Sequence, residues 1–177
     1  MQKIEPKPIE IPVPPDRFLV SKTDTKGIIT YANPVFCEIA GYSEEELIGK
    51  PHNIVRHPDM PRTVFKLLWD TIQRGEEIFA YVKNLAKDGR YYWVLAHVTP
   101  TFDKNGKIIG YTSDRRPVLH REVLTKIIEP LYKELREEES RGGLEAGEKL
   151  LMKKLESIGK SYEEFIFTVT FKKEDLE

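Results

Sequence analysis

The amino-acid sequence predicts an α+β domain with a five-stranded antiparallel sheet, several short helices and a C-terminal helical extension. Three observations predict it. Two β-leaning runs open the domain, before any helical periodicity appears. Three more follow, joined through Lys87-Asp88-Gly89 and Lys104-Asn105-Gly106, and Asp-Gly and Asn-Gly between β-rich runs are the strongest short hairpin signals. Beyond residue 118 the apolar residues switch to helical spacing.

Residues 1–16 form a proline-rich arm. Five prolines in MQKIEPKPIEIPVPP fix φ and remove donors, so the segment reads as extended chain, with a disordered tail as the alternative. Arg17 to Asp24 is the first strand, Thr25-Lys26-Gly27 a turn, and Ile28 to Tyr31 the second strand. Asn33-Pro34 ends it. Val35, Phe36, Ile39 and Ala40 then recur at helical spacing up to Gly41. Ser43 and Glu46 make an S-x-x-E capping box for a second short helix ending near Gly49.

PHNIVRHPDMP, residues 51–61, carries three prolines and is irregular. The next helix takes Asp59 as its candidate N-cap and Pro61 in its first turn. Val64, Phe65, Leu68, Trp69 and Ile72 mark one face, and Gly75 is the stop. The three later strands are expected over Ile78–Leu85, Tyr91–Thr101 and Ile108–Ser113. Residues 118–140 read as a helix with Leu124, Ile128, Leu131 and Leu135 in one stripe, long enough to allow a dimer seam. Arg141-Gly142-Gly143 breaks it, residues 144–159 form a second amphipathic helix, and Tyr162–Phe171 is ambiguous with a leaning towards strand.

Composition excludes several function classes. Lys+Arg is 28 against 29 Asp+Glu, a formal net charge of −1, which gives no electrostatic case for nucleic acid or an anionic membrane. Cys37 is the one cysteine, so no internal disulfide forms. No apolar run of about 18 residues exists to span a bilayer. The sequence has no Walker loop, histidine-kinase box or metal-ligand pair at helical spacing, and an enzyme is not expected.

Residues 17–116 resemble a PAS domain, a five-stranded antiparallel sheet cupping short helices around a central cavity. GIITYANPVFCEIAGYSEEELIGK resembles the family's opening half, and KDGRYYWVLAHVTPTFDKNGKIIGY its closing hairpins. GKPHNIVRHPDMPRTVFKLLWDTIQRGE is similar to the flavin-binding PAS domain of bacterial aerotaxis receptors, and VKNLAKDGRYYWV and EPLYKEL continue the likeness. The resemblance covers roughly residues 1–136 and not 140–177. It implies a sensor domain over 17–117 that binds FAD non-covalently and reads its redox state. It also implies an output extension over 118–177. With no membrane span or signalling rod in the sequence, the expectation is a cytoplasmic sensor. It would work with a separate, membrane-bound methyl-accepting transducer for aerotaxis, touching the inner membrane only through that partner; the 118–140 stripe also leaves room for a homodimer.

The resemblance implies cofactor contacts at Arg56, His57 and Asp59, with Asn53 beside them. Arg offers a fork suited to phosphate, His adds a donor, and the helix start near Asp59–Pro61 offers backbone N–H groups. The alternative is a surface Arg56–Asp59 pair in a proline-shaped loop. Asn84 lies nine residues before Trp93, the spacing at which related light-sensing flavin PAS domains place an amide on the ring's pyrimidine edge. The alternative is a turn-starting Asn.

Strand parity then points Ala80, Val82, Val94, Ala96 and Val98 inward. Val94 stands where the light sensors carry a second Asn, so the hydrogen-bond pattern differs from theirs. Trp93, Leu95, His97 and Thr99 face outward and require a cover from the arm, the tail helices or another protomer. Phe65 and Trp69 lie over the cavity, as core or as ring contacts. The light sensors' reactive cysteine is replaced at or near His52, so no thiol adduct is expected. Haem is the rival cofactor, with His52, His57, His97 and His120 as nominal ligands, none of them in a strongly apolar helical setting. A cofactor-free interaction module is the further alternative.

Overall fold

In the computed structural model, which describes residues 3–171, the chain divides into two compact units. The first comprises residues 1–58 and 69–117, and the second residues 59–68 and 118–177.

The first unit is built on five antiparallel strands. They are β1 (Leu19–Thr23), β2 (Ile29–Ala32), β3 (Ile78–Leu85), β4 (Tyr91–Phe102) and β5 (Ile108–Arg116), in the spatial order β2-β1-β5-β4-β3. Between β2 and β3 run α1 (Pro34–Ala40), α2 (Glu44–Leu47), a 3₁₀ turn (His52–Val55) and α3 (Arg62–Gln73). The capping signals act as their chemistry dictates. Asn33 Oδ1 accepts from the Phe36 and Val20 amides while its Nδ2 donates to the Phe18 carbonyl, tying α1 to β1. Ser43 and Glu46 close a reciprocal capping box on α2.

Two of the expected strands run longer than their sequence signal. β4 ends one residue later than expected, at Phe102, and β5 continues past Ser113 through Asp114, Arg115 and Arg116. The second extension decides the site, because it carries a charged residue into the sheet interior.

The arm is extended and paired. Lys7 N donates to the Gly89 carbonyl (2.8 Å), Tyr91 N to the Ile9 carbonyl (3.0 Å) and Ile11 N to the Tyr91 carbonyl (2.7 Å). Glu10 and Tyr91 form a parallel bridge. This edge of β4 is open at Tyr91, since β5 pairs only from Leu95 onward. Along the arm the odd residues turn their backbone groups to β4, and Pro6, Pro8 and Pro12 fall on the even positions facing away. The prolines therefore cost no ladder bond, and they leave the outer edge poor in donors for a further strand. A Cβ on Gly89, which has φ +95°, would lie 2.5 Å from the Glu5 carbonyl oxygen, so only glycine permits this approach.

The second unit is helical. The expected helix over 118–140 begins later, as α4 (Arg121–Val123), then a π-helical turn over Leu124–Ile128, then α5 (Glu129–Ile158) with Pro130 in its first turn. α5 is two helices broken at Gly143, where φ is 76° and ψ −170°. They fold back on one another, because Lys154 Nζ meets Glu134 Oε2 at 2.6 Å across the break. The glycine pair read as a break makes this hairpin. Leu124, Ile128 and Leu135 are buried within the single chain, so the stripe read as a dimer seam is used inside the protomer.

Tyr162–Thr170 is a helix, α6, and not the strand its β-branched and aromatic residues suggested. Ser161 and Glu164 form a capping box on it, and that local signal outweighs the propensity of FIFTVT. No helix among the described residues is long and apolar enough to cross a membrane.

Candidate functional site

The strand register fixes the inner face of the first unit. One row across the sheet runs Ala80, Ala96, Arg115, Leu19, and the next runs Ile78, Val98, Ser113, Ser21, Ala32. Val82 pairs with Val94 and Asn84 with Tyr92 on the same face. Asn84, Val94, Ala96 and Val98 are buried, as the parity argument requires. Trp93 and Leu95, of opposite parity, are buried as well, so the chain itself covers the outer face there. Trp69 stands edge-on to Tyr111 at 5.6 Å, and Gly27 leaves room for its indole, against which a Cβ would come to 2.9 Å.

Sequence reasoning missed the most conspicuous member of this face. Arg115 is 2% exposed, and no described acid forms a salt bridge with it. Its Nη1 donates to Ser21 Oγ (2.9 Å) and Ser113 Oγ (3.0 Å) and lies 3.0 Å from His52 Nε2. Its guanidinium stacks over the Phe36 ring at 4.3 Å. Nε and Nη2 are buried without a hydrogen-bond partner. Tyr92, fully buried, likewise holds its hydroxyl without a partner of full hydrogen-bond geometry, although the Asn84 amide lies close. Buried polar groups in folded proteins are nearly always paired, and these three donors leave hydrogen-bonding capacity open on the inner face; Asp114 Oδ1 and Arg116 Nε, of opposite parity, are buried without a partner too.

Burial lowers Arg115 to about 10, which still leaves it cationic at neutral pH. His52 falls to about 3, chiefly through burial and then through the Arg115 charge. Its imidazole is therefore neutral, and Arg115 Nη1, which can only donate, assigns the lone pair to Nε2, where the Ser21 hydroxyl 2.8 Å away can donate as well. Burial pushes the Tyr92 phenol well above its ordinary range, with Arg115 opposing in part, so it remains a protonated donor. The cluster is thus a cation and a phenol with free N–H and O–H groups, beside a neutral imidazole and an amide. It is rich in donors and suits a ligand edge carrying carbonyl oxygens or unprotonated ring nitrogens.

The residues predicted from sequence divide between the two units. Arg56 and Asn84 come together through their backbones, in an antiparallel bridge across the first unit. His57 is buried with its ring edge-on to Tyr91 at 6.3 Å. Asn53 is exposed in the 3₁₀ turn, where its carbonyl accepts from the Arg56 amide (2.9 Å). Asp59 and Phe65 belong to the second unit. The Asp59 carbonyl accepts from Arg136 Nη1 (2.6 Å). The first amides of α3 are not free for a phosphate. Glu139 Oε1 accepts from Arg62 N and Oε2 from Thr63 N.

The histidines do not gather into a ligand set. His97 stacks on Phe79 and contacts Glu77, and no cluster of three or more His, Cys, Asp or Glu able to hold a metal occurs among the described residues. Cys37, half-buried on α1, has its thiol raised by burial.

Comparison with known proteins agrees with this architecture. The family described as the PAS fold matches residues 29–113. The aerotaxis receptor of Escherichia coli (strain K12) is 44% identical over 124 residues, 70% of this chain and 24% of the receptor. A nitrogen fixation regulatory protein of Klebsiella pneumoniae is 30% identical over 56% of this chain and 20% of its own length. The chain thus spans about a quarter or less of these relatives. The crystal structure of a PAS domain from Colwellia psychrerythraea superimposes with a TM-score of 0.53 at 23% identity, covering 57% of this chain and 86% of that one.

Proposed function

Because residues 29–113 belong to the PAS fold and match an aerotaxis receptor, we propose that the first unit is a redox sensor holding FAD non-covalently. The observation that carries this reading is the set of orphaned donors on the inner face: Arg115 Nε and Nη2 and Tyr92 Oη, with the buried Asn84 amide beside them. A flavin's pyrimidine edge presents two carbonyl oxygens and an N–H, which these donors and the Asn84 carbonyl complement. Ala80 and Ala96, small residues in the same row as Arg115, are where a flat ring would lie against the sheet. When bound, the flavin supplies one- and two-electron redox chemistry. The chain's own groups orient it and set the charge around it: Arg115 remains cationic, Tyr92 remains a donor, and neutral His52 braces Arg115 and Ser21 through Nε2.

Residues 1–16 are the arm of this sensor, residues 17–117 its body and residues 118–177 its output extension. The likeness to an aerotaxis receptor supports a signalling role for this chain. The test is the visible spectrum of the purified protein before and after dithionite, with FAD added back where none is retained. Wild type is expected to show oxidised flavin bands that bleach on reduction. Asn84→Ala and Arg115→Met are expected to lose the flavin. A wild-type protein that neither retains nor takes up FAD refutes the reading, and full retention in both variants refutes the site.

A further inference from the structure

The first turn of α3 is capped by a carboxylate that lies 76 residues away in sequence. Glu139 Oε1 accepts from the Arg62 amide at 3.0 Å, and Oε2 accepts from the Thr63 amide at 2.8 Å and from Thr63 Oγ1 at 2.6 Å. One turn earlier on the same helix, Arg136 Nη1 donates to the Asp59 carbonyl at 2.6 Å. These contacts lie within the second unit, and Thr63 is buried there. The facing helix of the hairpin makes room at Gly147, where any Cβ would overlap Thr63 Oγ1 and come to 3.0 Å from Glu139 Cγ.

Two features make this contact more than a surface cap. Both carboxylate oxygens are used on adjacent amides, an arrangement that tolerates little rotation of α3. And α3 is a single helix whose later residues, from Trp69, belong to the first unit, where Trp69 packs on Tyr111 and Gly27. A change at Trp69 therefore reaches the Arg62–Thr63 turn through continuous helical backbone.

We propose that Glu139 is a latch: it clamps the helical hairpin to the first turn of α3, and opening it is the step that passes a change in the sensor to residues 129–171. The opening signal rests on the flavin reading; the latch itself does not. Opening frees two amides and a hydroxyl at the head of α3 and lets the 129–142 helix turn away, carrying Arg136 with it.

Amide hydrogen exchange on the full chain tests this. Glu139→Gln keeps the shape but has only one acceptor for two amides. It is expected to speed exchange at Arg62, Thr63 and the 129–158 helices about tenfold, the cost of a lost helix cap. The β3 and β4 amides should not change. Thr63→Val removes one bond of the three and should give a smaller rise at the same amides, which serves if the first variant folds poorly. Unchanged hairpin exchange in both variants overturns the latch. With FAD bound, reduction by dithionite should alter hairpin exchange in wild type and leave Glu139→Gln unaltered. A response that persists in Glu139→Gln, or is missing in a flavin-loaded wild type, overturns the transmission step. Failure to bind FAD at all refutes the sensor reading and leaves the ligand-free latch result standing.

Discussion

Replacing Arg115 with methionine separates the energetics of the fold from those of the site, because the two should move in opposite directions. Removing a guanidinium from water costs several kcal/mol, which is recovered only when a counter-charge and full hydrogen bonding receive it. Arg115 has three polar neighbours at Nη1 and no salt-bridged acid, while Nε and Nη2 have no partner. Hydrogen bonds of a charged donor contribute roughly 1.5–3 kcal/mol each, but here they share one nitrogen and go to neutral acceptors. Apolar replacement of buried ionic groups is often stabilising by about 1–4 kcal/mol. Ser21 keeps its bond to His52 Nε2 in the variant, so one contact of the cluster survives. The ligand-free variant should therefore be more stable than wild type, by about 1–2 kcal/mol after the lost bonds are set against that gain. Urea unfolding of flavin-stripped protein measures this, and FAD titration of the same samples should show affinity lower by at least about tenfold, one charge-assisted bond to the ring. A ligand-free Arg115→Met that is less stable than wild type would show that the guanidinium is structurally satisfied. The orphaned donors would then no longer indicate a ligand.

The remaining predictions concern the imidazole beside Arg115 and the arm. His52 has a folded value near 3 against an ordinary 6.5, so the unfolded chain takes up its proton first. Stability attributable to His52 is complete above pH 6.5 and declines as pH falls towards 3, by up to about 1.4 kcal/mol per unit. His52→Gln should flatten that part of the stability–pH curve, and an unchanged slope between pH 6 and about pH 4 in chemical denaturation would contradict the assignment. Ile11→Pro deletes the bond to the Tyr91 carbonyl and should destabilise the protein by roughly 1 kcal/mol and free the arm to protease, whereas Pro8→Ala should leave the arm docked. Equal protease sensitivity of the two variants would show that the arm is not held by its ladder.

The sheet was legible in the sequence because its signals are local. Gly89 and Gly106 take positive φ in the turns their Asp-Gly and Asn-Gly pairs announce, and the Ser43 box forms where spacing places it. The parity argument from Asn84 also held, since a strand has period two whatever it packs on. What failed depended on partners distant in sequence. The sequence signal for β5 covers Ile108–Ser113, yet β1 pairs with the strand as far as Arg115. The signal that would have found Arg115 is its phase: Tyr111, Ser113 and Arg115 share one face. Likewise no local pattern tells that Glu139 will cap α3, since that cap arises only once the hairpin folds. Tyr162–Thr170 misleads in the opposite sense: its residues favour strand, while the Ser161–Glu164 box at its start sets a helix.

Local and global demands agree through most of this chain and conflict at one place. A sheet interior optimised for stability would carry aliphatic residues in the row Ala80, Ala96, Arg115, Leu19, and the chain instead places two alanines beside a buried cation. The arginine carries a desolvation cost that its bonds at Nη1 offset only in part, and a third body meeting Nε and Nη2 would offset more of it. That body would contribute stability in proportion to its own binding, and the folded sensor would then report its presence and charge. A ligand that changes charge on the face lined by Arg115 changes the field acting on a buried cation. A redox-active ring coupled to a fixed guanidinium is an economical way for this fold to convert electron occupancy into a conformational free energy.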